Sequence, residues 1–206
     1  MNQIVVATRN PHKKREIRAL FGHSKKWRLV FLDRYPKIPP LKESGKTFDE
    51  NASLKARTVT RYTGKPAIAD DSGLEVAALR GGPGVRSARF AGEHASDDRN
   101  NRKLLRLLKN IPPSRRRARY RCTLALSIPG RKVRFFRGSL SGKIGISPKG
   151  HFGFGYDPLF ILPRYGKTVA QLSPSIKNKI SHRARASRRL KRYLVKNRLG
   201  SSRAGY

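Results

Sequence analysis

In its first half the chain contains Ala67-Ile68-Ala69-Asp70-Asp71-Ser72-Gly73, a short apolar run that leads into two adjacent carboxylates. The run follows Gly64-Lys65-Pro66, a sequence that ends helices, and it predicts a short buried strand. We therefore expect Asp70 and Asp71 at the carboxyl end of that strand, where open α/β sheets bind their ligands. An Asp-Asp-Ser-Gly sequence is equally typical of a turn or an Asx cap, so taken alone it leaves both interpretations open.

Strand and helix patterns alternate on both sides of this stretch and indicate an α/β fold. Upstream, Thr47-Phe48-Asp49-Glu50 is a capping box that predicts a helix running to about Tyr62. The other predicted elements are strands over 3–8, 28–33, 119–128 and 132–136, and helices over 13–21, 96–110 and 181–197. At this length we expect one domain or two closely joined lobes over residues 1–199, followed by a frayed tail over residues 200–206.

The charge balance is the most unusual property of the composition. The 206 residues include 48 Lys and Arg against 12 Asp and Glu, which gives a formal net charge of +36. Residues 99–206 carry 29 of these cations and a single acid, Asp157, whereas nine of the twelve acids lie between Glu43 and Asp98. Such a surface predicts anionic partners. Carboxylates retained in so basic a chain are expected at metal sites and helix caps.

Other classes of protein are disfavoured by the sequence. A single cysteine, Cys122, cannot form an internal disulfide, so a disulfide-stapled secreted scaffold is excluded. No run of 18 apolar residues is present, and the first residues lack the charged and apolar regions of a signal peptide. We expect a soluble protein of a reducing compartment, the cytoplasm, that does not bind membranes.

Six short motifs occur in order along residues 4 to about 194, and together they resemble the inosine triphosphate pyrophosphatase (Ham1-like) family. They are Thr8-Arg9-Asn10-Pro11-His12-Lys13 with Glu16, Glu43-x-Gly45-x-Thr47-Phe48-x-Glu50-Asn51-Ala52-x-Leu54-Lys55-Ala56, Ala69-Asp70-Asp71-Ser72-Gly73-Leu74-Glu75-Val76, Pro83-Gly84-Val85-x-Ser87-Ala88-Arg89-Phe90-Ala91-Gly92, Gly153-Phe154-Gly155-Tyr156-Asp157-Pro158 and Lys177-Asn178-x-Ile180-Ser181-His182-Arg183. The resemblance implies a two-lobed α/β fold around a long mixed sheet flanked by helices, and usually a homodimer. It also implies Mg²⁺-dependent hydrolysis of ITP, dITP and XTP to the monophosphate and pyrophosphate.

The resemblance also assigns the groups that would carry the phosphate chemistry. Glu43 and Asp71 are the metal ligands by family position, a small carboxylate set that suits Mg²⁺. Asp71 would in addition be the general base toward the attacking water, and Ser72 would touch the substrate. A triphosphate needs cations, which Lys13 and Lys55 supply. The turn formed by Thr8, Arg9, Asn10, Pro11, His12 and Lys13 would add backbone amides.

The purine is expected to be recognised by the later motifs. Phe154, in a glycine-containing loop, is our candidate for stacking under the base, with Gly155, Tyr156 and Asp157 beside it. Lys177 completes the set, and Ser181 as a helix N-cap would place His182 and Arg183 where they can donate to a 6-keto oxygen. Adenine presents an amino donor at that position and would be rejected. For Asp157, structural pairing with an arginine remains an equal alternative.

Two other functions remain open. A basic protein with this composition could bind nucleic acid or another polyanion at low salt without sequence preference. Against that as the sole function, the cations are scattered, and a binding module has no use for Glu43 and Asp71. A related pyrophosphatase acting on another modified base is equally compatible. Neither Arg115-Arg116-Arg117 nor the basic run over residues 183–196 is explained by catalysis.

Overall fold

A computed structural model describes residues 2–197, and the chain divides into two compact units. The first unit comprises residues 1–71, 123–137 and 185–206, and the second comprises 72–122 and 138–184. The predicted tail over residues 200–206 and the last residues of the predicted domain lie outside the described part of the chain.

Seven strands form one sheet in the described residues, in the order β2-β1-β3-β4-β5-β6-β7. The strand β1 is parallel to β2 and β3, whereas β6 is antiparallel to β5 and β7, so the sheet is mixed. Between residues 2 and 197, five α-helices flank these strands, and the expected α/β fold class is confirmed. The strands are β1 (Asn2–Val6), β2 (Trp27–Phe31), β3 (Ala67–Val76), β4 (Arg117–Ser127), β5 (Arg134–Ile144), β6 (Phe160–Leu162) and β7 (Lys167–Thr168), and the helices are α1 (Pro11–Phe21), α2 (Phe48–Thr63), α3 (Asp97–Leu107), α4 (Pro174–Ile180) and α5 (His182–Lys196).

The strand β3 differs from its prediction. It runs for ten residues, so Asp70 and Asp71 lie inside the strand and not beyond its carboxyl end. The prediction that the strand stops at Ala69 is therefore wrong. Leu74 and Val76 continue the buried pattern after the acids, and both are fully buried. Aspartate is normally depleted in strands, but these two carboxylates have cationic partners and so remain in the sheet.

In the first unit, α2 contributes small side chains to the hydrophobic core. Ala52, Ala56 and Val59 recur at helical spacing and are fully buried. The predicted start of the helix is confirmed, because the Thr47 hydroxyl accepts a hydrogen bond from the Glu50 amide at 3.1 Å. The Glu50 carboxylate accepts from the Lys46 amide at 2.7 Å, one residue before the usual capping-box partner.

In the second unit, Arg116 explains part of the Arg115-Arg116-Arg117 run. It is 5% exposed, and its guanidinium donates to the carbonyls of Ile111, Gly145 and Leu108 at 2.8, 3.1 and 2.8 Å. Leu108 is the C-cap residue of α3, whose last carbonyls need donors. Arg116 is therefore a structural residue that ties the end of α3 to the entry of β4.

Short elements account for the remaining differences from the sequence expectations. The helix α4 and the strands β6 and β7 were not predicted, and β5 extends eight residues beyond the expected end at Phe136. The predicted N-cap of α5 is confirmed, because the Ser181 hydroxyl accepts from the Ala184 amide at 3.1 Å. Within residues 2–197, no helix combines the length and the apolar character that crossing a membrane requires.

Candidate functional site

A buried lysine is the centre of a cluster of charges in the first unit. Lys55 lies on the inward face of α2, and its ammonium is 2.6 Å from Glu43 Oε1 and 2.7 Å from Asp71 Oδ1. The same nitrogen donates to the Asp70 carbonyl at 2.8 Å. The Lys55 and Asp71 side chains are each 6% exposed. The sequence predicted the three ionisable side chains as site residues, and the structure brings them to a single point.

The ionisation of this cluster follows from its burial and its charges. Burial by itself would lower the pKa of Lys55, but the charges and hydrogen bonds of Asp71 and Glu43 more than offset it, and the pKa of Lys55 is raised. Burial raises the pKa of Asp71 despite the opposing charges of Lys55 and Lys13, and the Glu43 charge adds to the rise. Asp71 is therefore a stronger base than an exposed aspartate, beside an ammonium that stays charged.

Lys13 makes a second buried ion pair in this unit. Its ammonium is 2.6 Å from Asp70 Oδ1, and the Asp70 side chain has no solvent exposure. Sequence reasoning left Asp70 without a partner or a role. Because consecutive strand residues point to opposite faces, Asp70 and Asp71 each take a different lysine.

The amides of the turn before α1, which the sequence predicted as a phosphate cradle, mostly have partners within the chain. The Asn10 carboxamide oxygen accepts from the His12 and Lys13 amides at 2.9 and 3.0 Å and caps the helix. The Asn10 amide donates to the Thr8 hydroxyl at 3.2 Å, and the Thr8 amide donates to the Val6 carbonyl at 2.9 Å. Pro11 has no amide hydrogen. Four of the amides in this turn thus have partners within the chain, and the Arg9 guanidinium donates to the Ile38 carbonyl at 2.6 Å. Contact of this turn with phosphate stays a prediction.

Asn51 positions two parts of this cluster, and sequence reasoning missed this role. It is fully buried, its carboxamide oxygen accepts from the Gly45 amide at 2.7 Å, and its NH₂ is 3.4 Å from Asp71 Oδ2. A Cβ on Gly45 would lie 2.7 Å from Glu50 Cβ and 2.8 Å from Asn51 Oδ1, so only glycine fits there. The hydrogen bond between Gly45 and Asn51 therefore fixes the segment that carries Glu43. Asn51 lies four residues before Lys55, on the same face of α2.

The donor set of Glu43 and Asp71 fits a divalent cation that prefers oxygen. Both carboxylates approach one positive charge, the Lys55 ammonium. Mg²⁺ is typically held by one or two carboxylates, with water and substrate phosphates completing six ligands. The described residues contain no group of three or more metal-binding side chains.

The second unit contains another set of buried polar groups, arranged around Asp157. This residue is 2% exposed and accepts from the Tyr120 hydroxyl at 3.1 Å, the Phe154 amide at 3.0 Å and the Lys177 ammonium at 2.5 Å. A Cβ on Gly153, whose φ is +83°, would lie 2.1 Å from the Asp157 carboxylate. Asp157 therefore shapes the glycine-containing loop. Its cationic partner is Lys177, where the sequence had left pairing with an arginine as an alternative.

Two cations lie over the Phe154 ring. Lys177 Nζ is 4.7 Å and Arg183 Cζ is 5.7 Å from the ring centroid. Arg183 is 1% exposed and donates to the Ser72 hydroxyl at 2.9 Å. Phe154, Lys177 and Arg183, which the sequence assigned to the base-recognising end, are thus in one cluster. Ser72, predicted only to touch the substrate, joins this cluster through Arg183.

The remaining predicted residues of this unit are more buried than expected. His182 is 6% exposed and stacks on Tyr120 with 4.7 Å between ring centroids. Tyr156 is 4% exposed, and its hydroxyl donates to the Ser87 carbonyl at 2.9 Å, so its side chain belongs to the core. The Gly155 amide donates to Asp97 at 2.6 Å, so Asp97 holds the loop in addition to lying in the first turn of α3.

The mixed sheet and these two clusters define an α/β protein with one site of paired acids and lysines and a second site that combines an aromatic ring with cations. The chain belongs to the Ham1 family, whose profile matches residues 4–193. A dITP/XTP pyrophosphatase of Geobacter sulfurreducens is 50% identical over 194 residues, covering 94% of this chain and 97% of that relative. A dITP/XTP pyrophosphatase of Geobacillus kaustophilus is 50% identical over 190 residues, covering 92% and 93%.

Solved structures agree with this assignment. The structure of the Staphylococcus aureus Ham1 protein matches with a TM-score of 0.85 and 40% identity, covering 95% of this chain and 99% of the other. A HAM1 protein from Coxiella burnetii matches with a TM-score of 0.88 and 38% identity, covering 96% and 100%. The resemblance expected from the six motifs is confirmed.

Proposed function

We propose that this protein hydrolyses non-canonical purine nucleoside triphosphates, namely ITP, dITP and XTP, to the monophosphate and pyrophosphate. Curated relatives that match almost the whole chain at 43–50% identity are dITP/XTP pyrophosphatases. The observation that carries the proposal is the contact of the Lys55 ammonium with both Glu43 and Asp71. Such a cluster provides a base, a cation and oxygen ligands, which are the groups that phosphoanhydride hydrolysis needs.

The first unit's cluster would carry the chemistry. Asp71, whose pKa is raised by burial, would accept a proton from the attacking water as its oxygen bonds to the α-phosphorus and pyrophosphate leaves. Lys13 and Lys55 would bind the triphosphate oxygens and offset their charge. Mg²⁺, held by Glu43 and Asp71, would lower the pKa of bound water and neutralise phosphate charge. Asp70 and Asn51 would position Lys13 and Asp71.

The second unit's cluster would recognise the purine. Phe154 would stack on the base, and Lys177 and Arg183, which lie over its ring, would donate to the keto oxygens of hypoxanthine or xanthine. Adenine carries an amino group at position 6 and would present a donor to these cations in place of an acceptor. Tyr156 and Asp157 would act through the loop that they shape, and His182 would act through its stack on Tyr120.

Pyrophosphate release tests this function. ITP, XTP, ATP and GTP are supplied with Mg²⁺ at moderate salt to the wild type, to Asp71→Asn and to Asp33→Asn, in which the acid replaced is an exposed partner of Lys14. We expect release from ITP and XTP, a loss of about 100-fold or more in Asp71→Asn, and no change in Asp33→Asn. Equal release from all four nucleotides, or an active Asp71→Asn, would contradict the proposal.

We further propose that the protein is a cytoplasmic homodimer and that it binds polyanions at low salt. The cytoplasmic location follows from the single cysteine, which suits a reducing compartment, and the homodimer follows from the family resemblance. The polyanion binding follows from the net charge of +36. Light scattering at moderate salt measures the mass of the protein in solution, which should be twice the 23.3 kDa of one chain. A monomer at all concentrations would contradict the dimer.

A further inference from the structure

The last helix carries a concentration of positive charge that the proposed hydrolysis does not use. Seven of the fifteen residues of α5 are Lys or Arg, and the helix contains no acid. One of the seven, Arg183, belongs to the cluster around Phe154. The other six, at positions 185, 188, 189, 191, 192 and 196, have no assigned role in catalysis.

Five of these six cations form a single exposed stripe. At about 100° per residue, positions 185, 188, 189, 192 and 196 fall within about 100° of the helix circumference. All five are exposed. Ala186, Leu190 and Leu194, on the opposite side, are buried. From Arg185 to Lys196 the stripe extends about 16 Å along the helix.

This arrangement does not stabilise the helix. Arg185 and Arg189, Arg188 and Arg192, and Arg192 and Lys196 are like charges four residues apart, a spacing at which they repel. The first turn also lacks an acid that would favour the helix dipole. A ligand with negative charge would offset this repulsion.

Further cations of the first unit pack beside the C-terminal half of α5. The Lys26 ammonium donates to the Val195 carbonyl at 3.0 Å, and the Arg134 guanidinium lies 5.0 Å from the Tyr193 ring centroid. Arg189 donates to the Arg137 carbonyl at 2.6 Å, so the start of β5 is held against the helix. These contacts broaden the positive surface in which the stripe lies.

We infer that the α5 stripe binds the phosphodiester backbone of a nucleic acid, independently of its sequence. A row of cations on a convex helix matches a ligand with many phosphates in a row. By contrast, Arg99, Arg102, Lys103 and Arg106 on α3 line one cavity of about 450 Å³, which suits a compact anion. A membrane-surface helix needs an exposed apolar face, whereas Ala186, Leu190 and Leu194 of α5 are buried and Val195 is a single exposed apolar side chain. Contacts to phosphates carry no base information.

The test compares two variants of equal charge. The stripe variant is Arg185→Gln/Arg192→Gln/Lys196→Gln, and the control is Arg99→Gln/Arg102→Gln/Arg106→Gln, which removes three exposed cations from α3. Binding of a fluorescent 20-base-pair DNA duplex of arbitrary sequence, a second duplex sequence and a single-stranded RNA is measured by anisotropy from 50 to 200 mM KCl. Hydrolysis of ITP is followed in parallel and is expected to be unchanged in both variants, so it reports on the proposed function independently.

We expect the stripe variant to bind duplex DNA about tenfold or more weakly at 100 mM KCl, with a salt slope reduced by about two to three. The control should change affinity less than about twofold, and Arg185→Lys/Arg192→Lys, which keeps the charge, should bind as the wild type does. Equal losses in the stripe variant and the control would overturn the proposal, because binding would then follow net charge alone. A strong preference for one of the two duplex sequences would also overturn it. So would binding to vesicles containing 30% phosphatidylserine that is tighter than binding to the duplex and is lost in the stripe variant.

Discussion

The ammonium of Lys55 lies 2.7 Å from Asp71 Oδ1, and both side chains are almost completely buried in the first unit. The same ammonium contacts Glu43 at 2.6 Å, so one positive charge separates two negative ones. A buried pair is strongly destabilised when only one partner is removed, because an uncompensated charge is left behind. Lys55 therefore stabilises the cluster in the absence of a metal, in addition to its proposed contact with the triphosphate.

Replacing this lysine should make the stability of the protein depend on Mg²⁺. We expect Lys55→Met to lose about 3–5 kcal/mol of unfolding free energy without metal, since Glu43 and Asp71 then face each other unscreened. Millimolar Mg²⁺ should restore more stability to Lys55→Met than it adds to the wild type, because a bound cation stabilises the folded state by mass action. Urea unfolding with EDTA or MgCl₂ measures both effects.

The matched control for that experiment is Lys65→Met, which removes a half-buried lysine that contacts Gln3 and the Tyr35 hydroxyl instead of an acid. It should respond to Mg²⁺ as the wild type does. A Lys55→Met protein with wild-type Mg²⁺ dependence would show that Glu43 and Asp71 do not bind the ion.

The Phe154 ring should contribute to substrate affinity more than to the chemical step. Phe154→Ala removes the stacking surface and leaves the Lys55 cluster of the first unit intact. Stacking on an aromatic side chain is worth about 1–3 kcal/mol per base, so KM for ITP should rise about tenfold or more while kcat stays within about threefold. Steady-state kinetics separate the two. Phe152→Ala, at an exposed ring two residues earlier, is the control and should leave KM and kcat unchanged. A fall in kcat alone for Phe154→Ala would refute the stacking of Phe154 on the base.

The sequence predicted long elements with periodic burial and clear caps, such as α2 with Thr47 and α5 with Ser181. It did not predict α4, β6 and β7, which have seven, three and two residues. Elements of that length show no recognisable period, and short strands depend on partners that are distant in sequence. The full length of β3 was missed because Asp70 and Asp71 can be buried only when Lys13 and Lys55 lie beside them.

The motifs identified which residues belong to the candidate site but not their partners. Lys13 and Lys55 were expected to contact phosphate, yet each is paired with a carboxylate. The partners are 57 positions apart for Lys13 and Asp70 and 16 positions apart for Lys55 and Asp71. Asn51, Tyr120 and Asp97 were missed because their role is to hold other groups. Such positioning contacts leave no local pattern in the sequence. A carboxylate, by contrast, is easily recognised in a chain this basic.

Alkaline pH should destabilise the protein through Tyr156. Burial, followed by the charge of Asp97, raises the pKa of this phenol above its usual value near 10. The unfolded chain therefore releases the proton at a lower pH than the folded protein, so the contribution of Tyr156 is complete below about pH 10 and declines above it. The difference in unfolding free energy between wild type and Tyr156→Phe should thus narrow from pH 9 to pH 11, by up to about 1.4 kcal/mol per pH unit.

Urea titrations at pH 8, 9, 10 and 11 measure this difference directly. Taking differences between variants cancels the titration of the many lysines, which is common to both proteins. Tyr62→Phe, at a side chain that is 58% exposed, is the control. A difference for Tyr156→Phe that stays constant with pH would mean that its phenol titrates alike in the folded and unfolded states.

Finally, Arg116 should be required for stability although it lies in a run of three arginines. Arg116→Met keeps most of the side-chain volume but leaves the carbonyls of Leu108, Ile111 and Gly145 without the guanidinium. We expect a loss of about 2–4 kcal/mol, since each buried acceptor left unsatisfied is costly. Arg116→Lys should recover little of it, because a single ammonium lacks the planar fork that reaches three acceptors. Unfolding in urea measures these losses. Arg115→Met, at an exposed position, is the control and should stay within about 0.5 kcal/mol of the wild type. Similar losses for Arg115→Met and Arg116→Met would show that the loss of charge, and not the loss of these hydrogen bonds, destabilises the protein.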